Sequence, residues 1–194
     1  MPAHLTLRLL PGLLSLRTVR LVHEIEGTFS RGCERSDFRL VHYSLQGNHA
    51  HLIVEARDRD ALGRGMMAVG SRLARAVNRI ADRSGSVLAD RYHLRLLPTP
   101  KEVRNALRYV LLNARRHAAA ARAKTSRANV TVPVRLDPAS SARWFDGWKW
   151  KANLTGGGAA AASREPLPIA KAKTWLLTVG WRRYGLLDPA DVPG

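Results

Sequence analysis

Residues 46–55 have the sequence QGNHAHLIVE, which joins a tight-turn dipeptide to a run with the composition of a strand. The dipeptide Gly47-Asn48 follows an apolar, aromatic-containing stretch from Phe38 to Gln46, so the pattern predicts a β-hairpin. Side chains alternate between the two faces of a strand, and we therefore expect His49 and His51 on the same face of the sheet. Two imidazoles placed in this way can share a metal ion. By itself, however, a His-x-His pair is more typical of a half-buried strand with polar residues outward.

Periodic segments on both sides of the hairpin predict further strands and helices. Residues 4–9 alternate polar and apolar, as a strand does, and an apolar period of three and four from Ser15 to Cys33 predicts a helix. A second helix is predicted from Asp58 to Ile80, and a further strand over residues 86–97. The order strand, helix, hairpin, helix, strand predicts an α+β fold with a ferredoxin-like antiparallel sheet. We expect both helices on one sheet face and the histidines on the other.

The most clearly marked boundary is Thr99-Pro100-Lys101-Glu102, a capping box with proline at the first helical position. It predicts a helix from Pro100 to about Arg122. One row of this helix is apolar. A second row recurs every three or four residues, is polar, and needs an explanation other than core packing; it consists of Asn105, Tyr109, Asn113, and Arg116 or His117.

The charge of the chain indicates a polyanionic partner. Thirty-two basic residues against 15 acidic ones give a net charge of +17, and only six of the 32 are lysine. Arginine binds phosphate with a planar fork, so nucleic acid is the expected polyanion. The arginines of the helix that begins at Asp58 are equally consistent with a solvated face and with one that follows phosphates.

Cysteine content and hydropathy exclude several protein classes. The single Cys33 cannot form an internal disulfide or a cysteine-rich zinc module. No apolar run approaches 18 residues, and the start of the chain does not have the pattern of a signal peptide. We therefore expect a cytoplasmic protein with no membrane partner.

Composition divides the chain into four predicted parts: a domain over residues 1–124, a basic aromatic arm over 125–155, a flexible linker over 156–172 and a small element over 173–194. The arm contains a possible short strand over 129–136, followed by three tryptophans among cations. Such aromatics can stack on bases, but packing against the core is the favoured alternative. Together the last three parts form a basic, Trp-rich C-terminal extension.

Two motifs carry a family resemblance. Asn48-His49-Ala50-His51-Leu52, followed by Tyr109-Val110-Leu111-Leu112-Asn113, resembles the REP-associated tyrosine transposases, a group of the single-tyrosine HUH transposases. That group has an Asn-His-x-His-Leu strand and a Tyr-x-x-x-Asn helix in this order. The resemblance covers residues 3–120. The chain departs from the group at Ala50, where many relatives have a bulkier apolar residue, and after Asn113, where many have proline, so we expect a longer uninterrupted helix.

The resemblance implies a nucleophilic Tyr109 and a divalent metal held by His49, His51 and Asn113. The spacing of Tyr109 and Asn113 agrees with it, because positions i and i+4 share a helix face. Two imidazole nitrogens and one amide oxygen with open positions suit Mg²⁺ or Mn²⁺. A structural zinc site completed by His93 or His42 is the alternative.

The implied reaction is the nicking of single-stranded, hairpin-associated DNA through a 5′-phosphotyrosine, which a 3′-hydroxyl can reverse to join strands. The expected partner is single-stranded or hairpin DNA, bound by a monomer or a homodimer. Candidate phosphate contacts are Arg91, Arg95, Arg108, Arg115 and Arg116. Two other functions remain open: a non-cleaving module that binds structured DNA, and an RNA-binding protein on the same sheet.

Overall fold

The computed structural model describes residues 1–124, 134–150 and 166–193, and the side chains of the third long helix as far as residue 119. The sheet has the order β2 (Phe38–Leu45), β3 (His49–Ala56), β1 (Pro2–Arg8), β4 (His93–Leu96), and every neighbouring pair is antiparallel. This arrangement confirms the predicted α+β fold with a ferredoxin-like antiparallel sheet. The elements are β1 (Pro2–Arg8), α1 (Val19–Ser30), β2 (Phe38–Leu45), β3 (His49–Ala56), α2 (Arg59–Ile80), β4 (His93–Leu96), α3 (Pro100–Lys124) and α4 (Trp175–Thr178), with 3-10 turns at Ser141–Trp144 and Gly180–Tyr184.

The predicted hairpin forms from β2 and β3, and the backbone N–H of Gln46 donates to the carbonyl of His49 across the turn. Alternation along β3 places Ala50, Leu52 and Val54 in the core beneath α1 and α2. Ile53 lies on the opposite face, in a second apolar cluster. Residues 49 and 51 share that face with Ile53, so the sheet carries both histidines away from the first two helices.

The third long helix covers the face that carries the histidines. Val103, Val110 and Leu111 of α3 pack with Ile53 and with Trp181 of the C-terminal segment. The predicted cap at Thr99 is present, since its hydroxyl accepts from the N–H of Glu102. At the start of α2 the side chain of Asp58 accepts from the N–H of Ala61, a cap that was not predicted from the sequence. The helix runs without a break past Asn113, as the absence of a following proline predicts.

Two predicted elements are too long. The first helix begins at Val19 and not at Ser15, because the N–H of Leu16 donates to the carbonyl of Gly47 and ties this segment to the hairpin turn. The last strand begins at His93 and not at residue 86. Residues 87–89 pair irregularly with the end of β1, and a bend at residues 90–91 separates them from β4.

The described parts of the C-terminal extension pack on the domain. Trp148 donates its indole N–H to the carbonyl of Ala142, and Trp144 lies against Tyr43, whereas Trp150 is exposed. Residues 134–136 are irregular, and the remainder of the possible strand over 129–136 lies outside the described residues. Residues 156–165 of the predicted linker also lie outside the described residues. In its described remainder, the N–H of Ala170 donates to the carbonyl of Leu40 in β2.

No helix in the described part of the chain combines the length and the apolar character that crossing a membrane requires.

Buried His42 predicts a pH-dependent stability. Burial lowers the pKa of this imidazole to about 4, and its Nδ1 lies 3.1 Å from the hydroxyl of Ser141. Because the pKa in the folded state is below that of the unfolded chain, the unfolded chain binds more protons as the pH falls from about 6.5 towards 4. This group therefore lowers the free energy of unfolding by about 2 kcal/mol between pH 7 and pH 5.

Urea denaturation at both pH values, on the wild type and on His42→Asn, measures this contribution. The variant is expected to lose less stability between pH 7 and pH 5 than the wild type, by about 2 kcal/mol. The other histidines titrate in both proteins, so their contributions to the change in the free energy of unfolding cancel in the comparison. An equal loss in the two proteins would contradict the assignment.

Candidate active site

Tyr109 and the two histidines of β3 meet between the sheet and α3. The ring centroid of Tyr109 lies 5.0 Å from that of His51, and those of His49 and His51 are 4.8 Å apart. His49 lines a cavity of about 340 Å³ together with Ala114 of α3. The turn of α3 that carries Asn113 therefore lies beside His49.

Neighbouring groups orient both imidazoles. The Nδ1 of His49 lies 2.9 Å from the side-chain oxygen of Asn48, which can only accept, so Nδ1 carries the proton and Nε2 keeps its lone pair. The Nδ1 of His51 lies 3.1 Å from the hydroxyl of Thr6 and 3.3 Å from Nε2 of His4. When Nδ1 of His51 donates its proton to one of these partners, its Nε2 keeps a free lone pair, as the Nε2 of His49 does. Metal-binding histidines in proteins are held in this way.

Three buried polar atoms at this place have no hydrogen-bond partner among the described residues. They are Nε2 of His51 and both polar atoms of the Asn113 amide. A buried polar group without a partner is destabilising by about 1–3 kcal/mol, so a ligand that bonds to these atoms would remove that cost. An imidazole nitrogen and an amide oxygen are both metal donors, and with Nε2 of His49 they form a set that fits Mg²⁺ or Mn²⁺.

The zinc alternative finds no support in the described residues. They contain no group of three His, Cys, Asp or Glu side chains arranged to hold a metal. His42 is instead engaged by Ser141 and packs against Phe145. His93 is exposed on β4.

Burial keeps the imidazoles of the site neutral at pH 7. It lowers the pKa of His51 to about 3, with smaller contributions from His4 and His49, and it lowers that of His49 as well. The pKa of His4 falls to about 4 through burial and the nearby charge of Arg95. Neutral rings retain the lone pairs that a metal ion requires.

The five candidate arginines differ in their surroundings. The guanidinium of Arg116 lies 5.6 Å from the centroid of the Tyr109 ring. Arg108 is paired with Asp191 at 3.1 Å, and Arg115 donates to the carbonyl of Ala190. Arg95 lies beside Glu102 at the exposed edge, and Arg91 is exposed in the bend before β4.

Sequence reasoning missed the part that β1 plays in the site. His4 and Thr6 contact His51, and Arg8 lies opposite His49 in the strand register and is exposed. The alternation of residues 4, 6 and 8 already places these side chains on one face. Only the pairing of β1 with β3 shows that it is the face of the histidines.

Comparisons with known proteins identify similar solved structures. No protein-family profile matches the chain, and no curated protein sequence matches it. A REP-associated tyrosine transposase bound to a REP hairpin is similar over 60% of this chain and 67% of its own, with 17% identity and a TM-score of 0.45. A candidate transposase from Deinococcus radiodurans R1 is similar over 50% of this chain and 78% of its own, with 13% identity and a TM-score of 0.38.

Proposed function

We propose that this protein is a metal-dependent endonuclease and strand transferase of the transposase type, which nicks hairpin-associated single-stranded DNA with Tyr109. One observation carries the proposal. The ring of Tyr109 packs 5.0 Å from the ring of His51, whose buried Nε2 has no partner among the described residues. A potential nucleophile thus lies beside an unsatisfied metal donor.

His49, His51 and Asn113 would hold Mg²⁺ or Mn²⁺ through two imidazole nitrogens and the amide oxygen. When bound, such an ion polarises the scissile phosphate and stabilises the negative charge that develops on it. Asn48, Thr6 and His4 hold the two imidazoles in the orientation that this role requires.

Tyr109 performs the covalent step. Its phenol oxygen attacks phosphorus and loses its proton, while the bond between phosphorus and the 3′-oxygen breaks and that oxygen takes up a proton. The products are a 5′-phosphotyrosine and a free 3′-hydroxyl. A second 3′-hydroxyl can reverse the step and join two strands without an external energy source. The guanidinium of Arg116, 5.6 Å from the ring, favours the negative charge that arises here.

DNA is the proposed substrate because of the net charge of +17, the guanidinium of Arg116 near the Tyr109 ring, and Arg95 and Arg108 in the cavity beside Tyr109. The single-stranded hairpin form follows from the resemblance of the two motifs to REP-associated tyrosine transposases. Binding to such DNA would place the protein at the nucleoid of a bacterial cytoplasm.

A covalent-capture assay tests the function. Wild-type protein and Mn²⁺ or Mg²⁺ are incubated with a pool of hairpin oligonucleotides labelled at either end. A 5′-phosphotyrosine retains the 3′ label on the protein and releases the 5′ label, and peptide mass spectrometry is expected to locate the adduct on Tyr109. Tight binding without any covalent product would refute the nuclease and leave the non-cleaving DNA-binding module.

Thr6→Val is expected to weaken Mn²⁺ binding about tenfold or more, because the hydroxyl that orients His51 is lost while the shape of the side chain is kept. Isothermal titration calorimetry measures the affinity. Thr28→Val is the matched control, since the hydroxyl of Thr28 donates only to Ile25 within α1. Equal Mn²⁺ affinities in the two variants would show that Thr6 does not orient a ligand.

A further inference from the structure

A second cavity lies next to Tyr109 and is lined by aromatic, apolar and polar side chains. Its volume is about 430 Å³, within the range of ligand sites in proteins. Leu97, Ala106 and Pro193 supply apolar surface. The rings of His4 and Tyr109 form its aromatic wall edge to face, with their centroids 5.8 Å apart and their planes at 63°.

The remaining lining is polar and consists of Arg95, Glu102, Asn105 and Arg108, of which Arg108 is paired with Asp191. Arg95 and Glu102 are partners of one another at 3.5 Å, and the carboxylate of Glu102 also accepts from the hydroxyl of Thr99. Asn105 is exposed and lines the same cavity. Its planar amide offers one donor and one acceptor side by side. Apolar surface, aromatic walls and a hydrogen-bonding edge are the features that a nucleobase requires.

The position of Asn105 on α3 relates this cavity to the reacting centre. Asn105, Tyr109, Asn113 and His117 follow one another at intervals of four residues, and twelve residues of helix span about 18 Å. His117 lines the cavity at His49, and Asn105 lines the cavity at Tyr109. The row turns about 120° around the helix over this length, and a DNA strand that passes from one cavity to the other would cross Tyr109. The two outer members of the polar row, which metal binding and nucleophilic attack leave unexplained, then have a role.

We infer that the cavity between His4, Asn105 and Tyr109 binds one unstacked nucleobase of the cleaved strand, adjacent to the scissile phosphate. This inference rests on the proposed function. The ring of the base lies against the aromatic wall and the apolar surface, and the amide of Asn105 pairs with its edge. A side-chain amide makes its two-bond pair with adenine, so adenine is the preferred base and the expected discrimination is about tenfold.

A binding experiment on Tyr109→Phe tests the inference without depending on cleavage. The probe is a fluorescein-labelled stem-loop with ten-residue oligo-dT flanks, in which one dT at a time is replaced by dA or by an abasic residue. Fluorescence anisotropy is expected to show one flank position at which dA binds about tenfold more tightly than dT or the abasic residue. When Asn105→Ala is added to Tyr109→Phe, the advantage of dA is expected to fall below about twofold.

Lys101→Ala is the control, since Lys101 is exposed one turn earlier on α3 and does not line the cavity. Lys101→Ala is expected to weaken the binding of all probes equally, while the preference for dA is retained. The inference would be overturned if no flank base affects binding by Tyr109→Phe, or if the preference for dA survives Asn105→Ala. If the wild type is captured covalently but no preference for dA depends on Asn105, the base site alone would be refuted. If a preference for dA depends on Asn105 but the wild type forms no covalent complex, the nuclease function alone would be refuted.

Discussion

Replacing Tyr109 with phenylalanine is expected to abolish the covalent protein–DNA complex and to lower the nicking rate by about 10⁴-fold or more. The substitution removes only the oxygen that bonds to phosphorus, and no residual step can replace a missing nucleophile. The ring contacts with His51 at 5.0 Å and with His4 at 5.8 Å do not involve the hydroxyl. Folding and DNA binding are therefore expected to be unchanged. Nicking rates on labelled hairpins and dissociation constants from gel shifts measure the two effects separately.

Tyr184→Phe is the matched control for this experiment. Tyr184 is exposed in the C-terminal segment and lines neither of the two cavities at the site. It is expected to keep wild-type nicking and the covalent complex. Nicking by Tyr109→Phe at the wild-type rate would mean that a different group attacks the phosphate, and the proposed mechanism would fail.

Replacing Asn113 with leucine is expected to stabilise the metal-free protein and to inactivate it. Asn113 is fully buried, and both polar atoms of its amide have no partner among the described residues. Removing an unsatisfied buried amide is expected to raise the free energy of unfolding by about 1–3 kcal/mol. The same change removes a metal donor and with it Mn²⁺-dependent nicking. Such opposite effects on stability and activity are common at functional sites.

Asn113→Asp is the complementary variant. An unpaired buried carboxylate destabilises the metal-free fold, whereas a charged oxygen donor strengthens metal binding. Urea denaturation with and without Mn²⁺ is therefore expected to show a larger metal-induced stabilisation for Asn113→Asp than for the wild type, and none for Asn113→Leu. Overpacking by leucine would lower stability but would not abolish the response to Mn²⁺. Equal responses in all three proteins would exclude Asn113 as a ligand.

Local patterns predicted the elements that build the site. The Gly47-Asn48 dipeptide predicted the hairpin, and alternation along the following strand put both histidines on one face. The capping box at Thr99 marked the start of α3, and the predicted start of α2 at Asp58 lies within one residue of the observed one. These features depend on interactions between residues a few positions apart, which are visible in a linear sequence.

The errors arose where distant contacts compete with local preference. The segment before α1 has a helical apolar period, but Leu16 is wholly buried and bonded through its backbone to Gly47, so the chain forms a turn over residues 15–18 and the helix starts only after it. The predicted last strand is interrupted because its first residues pair with the end of β1 and the chain then bends. Neither contact has a signature in the local sequence.

The sequence by itself determined the elements, the face that His49 and His51 share, and the helical row of Tyr109 and Asn113. Those properties follow from the periods of strands and helices, which repeat over two and 3.6 residues. Only the tertiary structure decided that α3 covers the face of the histidines, that Thr6 and His4 of β1 hold His51, and that Asp191 pairs with Arg108. Strand register and helix docking depend on the burial of surfaces far apart in the chain, and no local pattern encodes which surfaces meet.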